Sequence, residues 1–205
     1  MVYKKSTQKQ EGFALLISLI VVGVVISVGL SILDLSITQV RLSDNAKQSE
    51  LAFHAANAGV ECGLYWRRNA SSTMLAGDPI TPDCFGVTDS SVELTIIDPG
   101  SDAGKIEGGT AYLYQYQFSW GTEQRCTKIA TILITADPDE SGATLHDVNN
   151  VVDDGGNFAI PGFPETDSEC EVGGQCTIMA VRGYNQSCAN IGNFGTTERE
   201  VLLQF

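Results

Sequence analysis

Positive charge is scarce in this chain. Its 205 residues hold 12 Lys and Arg against 25 Asp and Glu, a net charge of -13. A protein that grips phosphate backbones needs the opposite sign, so nucleic acid is set aside as a partner. Histidine is scarcer still. His54 and His146 are the only two, and no C-x-x-C pair accompanies them, which argues against zinc. There is no P-loop, no G-x-S-x-G elbow, no H-E-x-x-H and no glycine-rich dinucleotide turn after a strand, so no residue is assigned to catalysis or to a cofactor.

Two further absences are local. Phe13 to Leu33 is a run of 21 residues without a charge. At about 1.5 Å of rise per residue, a helix of that length crosses a hydrocarbon layer of roughly 30 Å. Asp34 to Trp66 has no proline and only two glycines, Gly59 and Gly63, and apolar residues return at Val40, Ala46, Phe53, Ala56, Val60 and Leu64. That spacing predicts that the helix continues past the membrane to about Arg67, with one face of its second half against a domain. Lys4, Lys5 and Lys9 precede the apolar run and Asp34 is the first charge after it, so the N-terminus stays in the cytoplasm and the rest is exported. A secretory signal peptide would have an apolar core of roughly 7 to 15 residues and a small-residue cleavage site, neither of which is present. An uncleaved single-span anchor is the plainer alternative.

A short basic leader ending in Gly12, followed by Phe13 and an apolar run that becomes amphipathic, resembles a type IV prepilin. The segment Ala52-Phe53-His54-Ala55-Ala56-Asn57-Ala58-Gly59-Val60-Glu61 resembles the alanine-rich stretch of X-type minor pilins and K-type pseudopilins. The likeness covers about a quarter of the chain. It implies that a prepilin peptidase cuts after Gly12 and methylates the new amino terminus at Phe13. It further implies an inner-membrane stage with a single pass, an inner-membrane assembly machinery, and packing of the helix against other pilin-like subunits in a cell-surface filament. Two features depart from the family pattern. The glutamate expected five residues into the mature chain is Ile17, and the proline expected near the membrane exit is absent, with Asp34 at about that place. K-type pseudopilins also lack the glutamate and sit at the tip, so the likeness implies a tip-proximal, low-copy initiator.

The divisions expected are therefore a leader over 1–12, a long helix over 13–67 whose first part, 13–33, is membrane or filament core, and an exported β-rich domain over 68–205. The leader carries three lysines against Glu11, a net +2, which leaves -15 for the mature chain. Within the span, Ser18, Gly23, Ser27, Gly29 and Ser31 are small enough to let helices approach. Arg41, Asp44, Lys47 and Glu50 read as a solvated face, and His54 as a packing residue among alanines. After a loop of about 20 residues, strand character appears at 92–97, 111–120, 128–136, 177–184 and 198–205. In 112–118 the tyrosines and Phe118 share one face, which predicts an antiparallel sheet of four or five strands packed on the outer half of the helix, an α+β fold.

Residues 137–175 are rich in Gly, Asp and Pro with little periodicity, and read as a functional loop that presents a surface of its own. Six cysteines, Cys62, Cys84, Cys126, Cys170, Cys176 and Cys188, lie beyond the span and suit disulfides in an oxidising compartment. Fifteen pairings are possible. Proximity favours Cys62 with Cys84 and Cys170 with Cys176, leaving Cys126 with Cys188. Asp137, Asp139 and Ser141, followed by Gly142, match the first half of a calcium loop. The closing glutamate is missing because Val148 stands at the twelfth position. The sequence therefore reads as a non-enzymatic filament subunit, with a membrane-anchored extracytoplasmic binding module that never assembles as the alternative.

Overall fold

The computed structural model describes residues 11–88, 92–97, 104–121, 124–139, 142–152, 159–160, 162–163 and 167–205. Its first element is one uninterrupted helix, α1 (Glu11–Asn69), which ends with Arg67 and Arg68 in the last turn, where cations suit the negative end of the helix dipole. The chain divides into two compact units, 1–47 and 48–205, and α1 contributes to both. A short helix follows, α2 (Ser71–Leu75), and then, among the described residues, ten strands: β1 (Asp83–Cys84), β2 (Val87–Thr88), β3 (Glu93–Ile97), β4 (Ile106–Glu107), β5 (Gly109–Trp120), β6 (Arg125–Ala136), β7 (Ala143–Leu145), β8 (Ser168–Cys170), β9 (Gln175–Tyr184) and β10 (Glu198–Gln204).

The five expected strands form one antiparallel sheet in the order β10-β9-β6-β5-β3. The register sets Leu113 beside Ile132 and Ile132 beside Ile178. Because successive side chains alternate between faces, these three point to one side together with Ala111, Ala130, Ile134 and Ala180. Tyr116, Phe118, Ile129, Met179 and Val181 point to the other, packed with Cys62 and Cys84. Tyr114 and Leu133 share that side with Met74 of α2 and with Ile80. The Tyr114 hydroxyl, fully buried, shares its proton between the carbonyls of Met74 (3.0 Å) and Asp78 (2.9 Å), and burial pushes its pKa up to about 12.

Residues 48–69 of α1 cover the second face with only part of the set that periodicity suggested: Ala56 is buried and Val60 packs against the sheet cluster. Phe53 is 49 % exposed, and His54, expected to pack, faces solvent with Nε2 3.6 Å from Glu50. The buried stripe is Ala52, Ala55, Ala56, Gly59, Cys62 and Gly63, spaced as one helix face. The reason is the closeness of the two backbones. A side chain on Gly183 of β9 would collide with the carbonyl of Ala52 and the amide of Ala56, and one on Gly59 would collide with Thr127 and Val181. Close to Gly183 and Gly59 only small side chains fit between the helix and the sheet. Thr127, fully buried, donates to the Ala55 carbonyl (2.9 Å) and accepts from Trp120 Nε1 (3.1 Å).

The irregular segment does not form a free surface loop. Strands β4, β7 and β8 make a second, three-stranded sheet in the order β4-β7-β8. Ile106, Ala143, Leu145, Val148, Val151, Ala159, Ile160, Phe163 and Cys170 all belong to the core cluster on the first face. The five-stranded sheet is therefore buried on both sides, which explains why Ile132, Leu133 and Ile134 are all fully buried in succession.

Candidate functional site

Three places carry the sequence-based assignments. The first is the start of α1. Gly12 lies within the helix and Phe13, 69 % exposed, follows it; the leader residues 1–10 lie outside the described residues. Fifteen large apolar side chains between Phe13 and Leu33 are exposed, and so are Leu35, Ile37, Val40 and Leu42. Among the described residues the helix's apolar window is exposed, and the helix is long and apolar enough to span a membrane. The exposure is too large to be left in water. At about 1.5 kcal/mol or more per side chain on burial, the fifteen represent on the order of 20 kcal/mol, beyond the 5 to 15 kcal/mol that holds an ordinary domain folded.

The second place is the cysteine framework. The disulfides are Cys62–Cys84, Cys126–Cys188 and Cys170–Cys176, the pairing that proximity favoured. Cys62–Cys84 staples α1 to the β1–β2 hairpin, where Trp66 Nε1 also donates to the Asp83 carbonyl (3.1 Å). Further polar contacts tie the same helix half down: Asn185 Nδ2 donates to Gln48 Oε1 (2.9 Å), Arg199 Nε to Ser49 Oγ (2.8 Å) and Arg67 Nε to Thr177 Oγ1 (2.8 Å). Partial burial lowers the Arg67 pKa, though a guanidinium stays charged at any ordinary pH.

The third place is the acidic turn after β6. Asp137 and Asp139 are exposed there, and the Asp137 amide donates to the Gly108 carbonyl (2.9 Å). Ser141 lies outside the described residues. Among the described residues no three His, Cys, Asp or Glu side chains gather closely enough to hold a metal ion.

Comparison with known protein families, with curated proteins and with solved structures finds no match to this chain.

One constellation has no counterpart in the sequence reading. His146, just after β7, lies between two carboxylates: Nδ1 is 3.1 Å from Asp167 Oδ2, and Nε2 is 3.5 Å from Glu107 Oε2. Glu107 also pairs with Lys105, and the other oxygen of Asp167 accepts the Asp147 amide (3.2 Å). The hydrogen bond that the ring donates to Asp167 is the main cause that raises the His146 pKa. The Asp147 amide lowers that of Asp167, and Lys105 lowers that of Glu107. These four side chains come from segments up to 62 residues apart in sequence, from Lys105 to Asp167, so no local motif could announce them.

Proposed function

We propose that this chain is a non-enzymatic minor pilin or pseudopilin subunit, stored in the inner membrane and then built into a type IV pilus-like filament, near its tip, after removal of a leader. The observation that carries this reading is the double character of α1. One helix, without a proline, presents an exposed apolar sleeve over its first half and a seat of small residues under a sheet over its second. An anchor needs only the first of these, whereas a helix that must exchange lipid for neighbouring helices and still carry a domain needs both. The partners are other pilin-like subunits through α1, the prepilin peptidase at Gly12 and Phe13, the inner-membrane assembly machinery and the bilayer.

Ile17 supports the tip position. In the pilin family a glutamate at this place is understood to pair with the amino terminus of the adjacent subunit, and an unpartnered buried charge costs several kcal/mol. An apolar residue suits a site where no partner amine has to be neutralised.

Processing gives the test. Gly12→Leu should leave residues 1–12 attached and abolish recovery of the protein in sheared filaments, while the wild-type protein should begin with N-methyl-Phe13 by mass spectrometry. An intact N-terminus on wild-type protein from cells with an active peptidase would leave the anchored-module reading in its place. Wild-type subunits labelled along whole filaments, or polymerising alone, would refute the tip assignment.

A further inference from the structure

We propose that His146 is a pH-operated clamp on the three-stranded cover, fastened while both ring nitrogens carry protons and released when one proton is lost. The geometry carries the argument. The ring nitrogens face two different carboxylates from two segments, Glu107 at the end of β4 and Asp167 just before β8. An imidazolium donates from both nitrogens and satisfies both. A neutral imidazole has one donor and one lone pair, so in either tautomer one carboxylate confronts a lone pair.

What the clamp holds is defined by the same contacts. Asp167 reaches the ring with one oxygen and the Asp147 amide with the other. Asp147 is a non-glycine residue at φ 52°, a left-handed conformation that the surroundings must maintain. When the proton lost is that of Nδ1, Asp167 faces the lone pair, and the carboxylate that holds the next residue's backbone is loosened. The His146 amide donates to the Lys105 carbonyl (2.8 Å) whatever the charge on the ring, so β7 stays joined to the β4 side. The responsive part is the turn at 147 and the β8 side.

The charged groups that contact the ring are Glu107 from β4, itself paired with Lys105, and Asp167 from just before β8; Asp147 follows in the same turn, and Glu169 lies across the ladder from Thr144. The balance is negative, which favours the imidazolium. A histidine whose folded pKa is raised contributes stability that is fully present below its ordinary value of 6.5 and is lost as pH rises through the raised value. The two carboxylates, held low, contribute stability that is present above the ordinary carboxylate range and lost as pH falls through their lowered values. The clamp is tightest between these limits and opens on the alkaline side.

Hydrogen exchange by mass spectrometry on the full chain in detergent micelles tests this, with exchange times corrected for intrinsic rates, at about pH 5.5 and about pH 8, on either side of the histidine range. Peptides over 143–147 and 167–170 should open severalfold more at the higher pH in the wild type and equally at both in His146→Gln, while β5–β6 peptides stay unchanged in each. Protection independent of pH in the wild type, or the same rise in the variant, would overturn the clamp. If His146→Gln does not fold, the ring titration followed by NMR decides: its midpoint should fall in Glu107→Gln, and an unmoved midpoint would refute the role of that carboxylate.

Discussion

Replacing Gly183 with alanine should lower the unfolding free energy by about 3 kcal/mol, at the upper end of what overpacking a close-packed interior costs. The added methyl would meet the Ala52 carbonyl and the Ala56 amide, with the Ala55 carbonyl carbon 2.8 Å away, and all three belong to helix backbone that cannot rotate aside. The helix must therefore lift from β9, and the hydrogen bond from Thr127 to the Ala55 carbonyl is strained with it. For a unit of the size of 48–205, such a loss corresponds to a melting temperature lower by roughly 10 °C. Thermal unfolding followed by circular dichroism would measure it. Gly192→Ala is the control, because nothing lies within 4 Å of an added methyl there and its backbone is not in the left-handed region. Equal melting of the two variants would show that the helix is not seated on β9 as described.

Removing Cys126–Cys188 should cost more than removing either other disulfide. In the chain-entropy account, a crosslink between residues 62 apart withholds about 4 kcal/mol of freedom from the unfolded chain, against about 3 for the 22-residue separation of Cys62–Cys84 and about 2 for the 6-residue one of Cys170–Cys176. Local packing points the same way. Cys126 is fully buried, its amide donates to the Gln186 carbonyl (2.7 Å), and the Cys188 amide donates to Ser119 Oγ (3.3 Å), so the bridge pins residues 185–197 to the end of the β5–β6 hairpin. Paired Cys→Ala variants compared by urea unfolding should rank in that order. A reversed order would show that the loop-length account does not govern this domain.

Much of the architecture was legible in the residues. The charge-free run at 13–33 and the absence of proline to Trp66 announce one long helix, and alternation in 112–118 and the branched run at 131–135 announce the central strands. The packing face of the helix was legible only in part, at Ala56 and Val60, because the usual signal is large apolar residues at helical spacing, and here closeness to Gly183 selects small ones instead. The cover was missed for another reason. Its strands are two or three residues long, and its buried side chains arrive singly, at Val148, Val151, Ile160 and Phe163, so no period exists to detect. Of the site assignments, two cysteine pairs follow from proximity in sequence and the third, 62 residues apart, is what they leave, whereas the setting of His146 depends on tertiary neighbours brought together by register.

The place of that cover in the chain bears on how the domain folds. Strands β6 and β9 are neighbours, yet the 38 residues from 137 to 174 lie between them, and it is these residues that roof the first face of the sheet. Bringing the two strands together closes a loop whose entropic cost is about 3 kcal/mol, while the β5–β6 hairpin closes through residues 121–124 alone. The hairpin is therefore the local, early event, and the slow step is the non-local meeting of β6 with β9. Until that meeting occurs, Ile132, Ile134 and Ile178 have no roof, and the roof has no floor, so a nascent chain passes through a state with an open, sticky sheet edge on its way to the native domain.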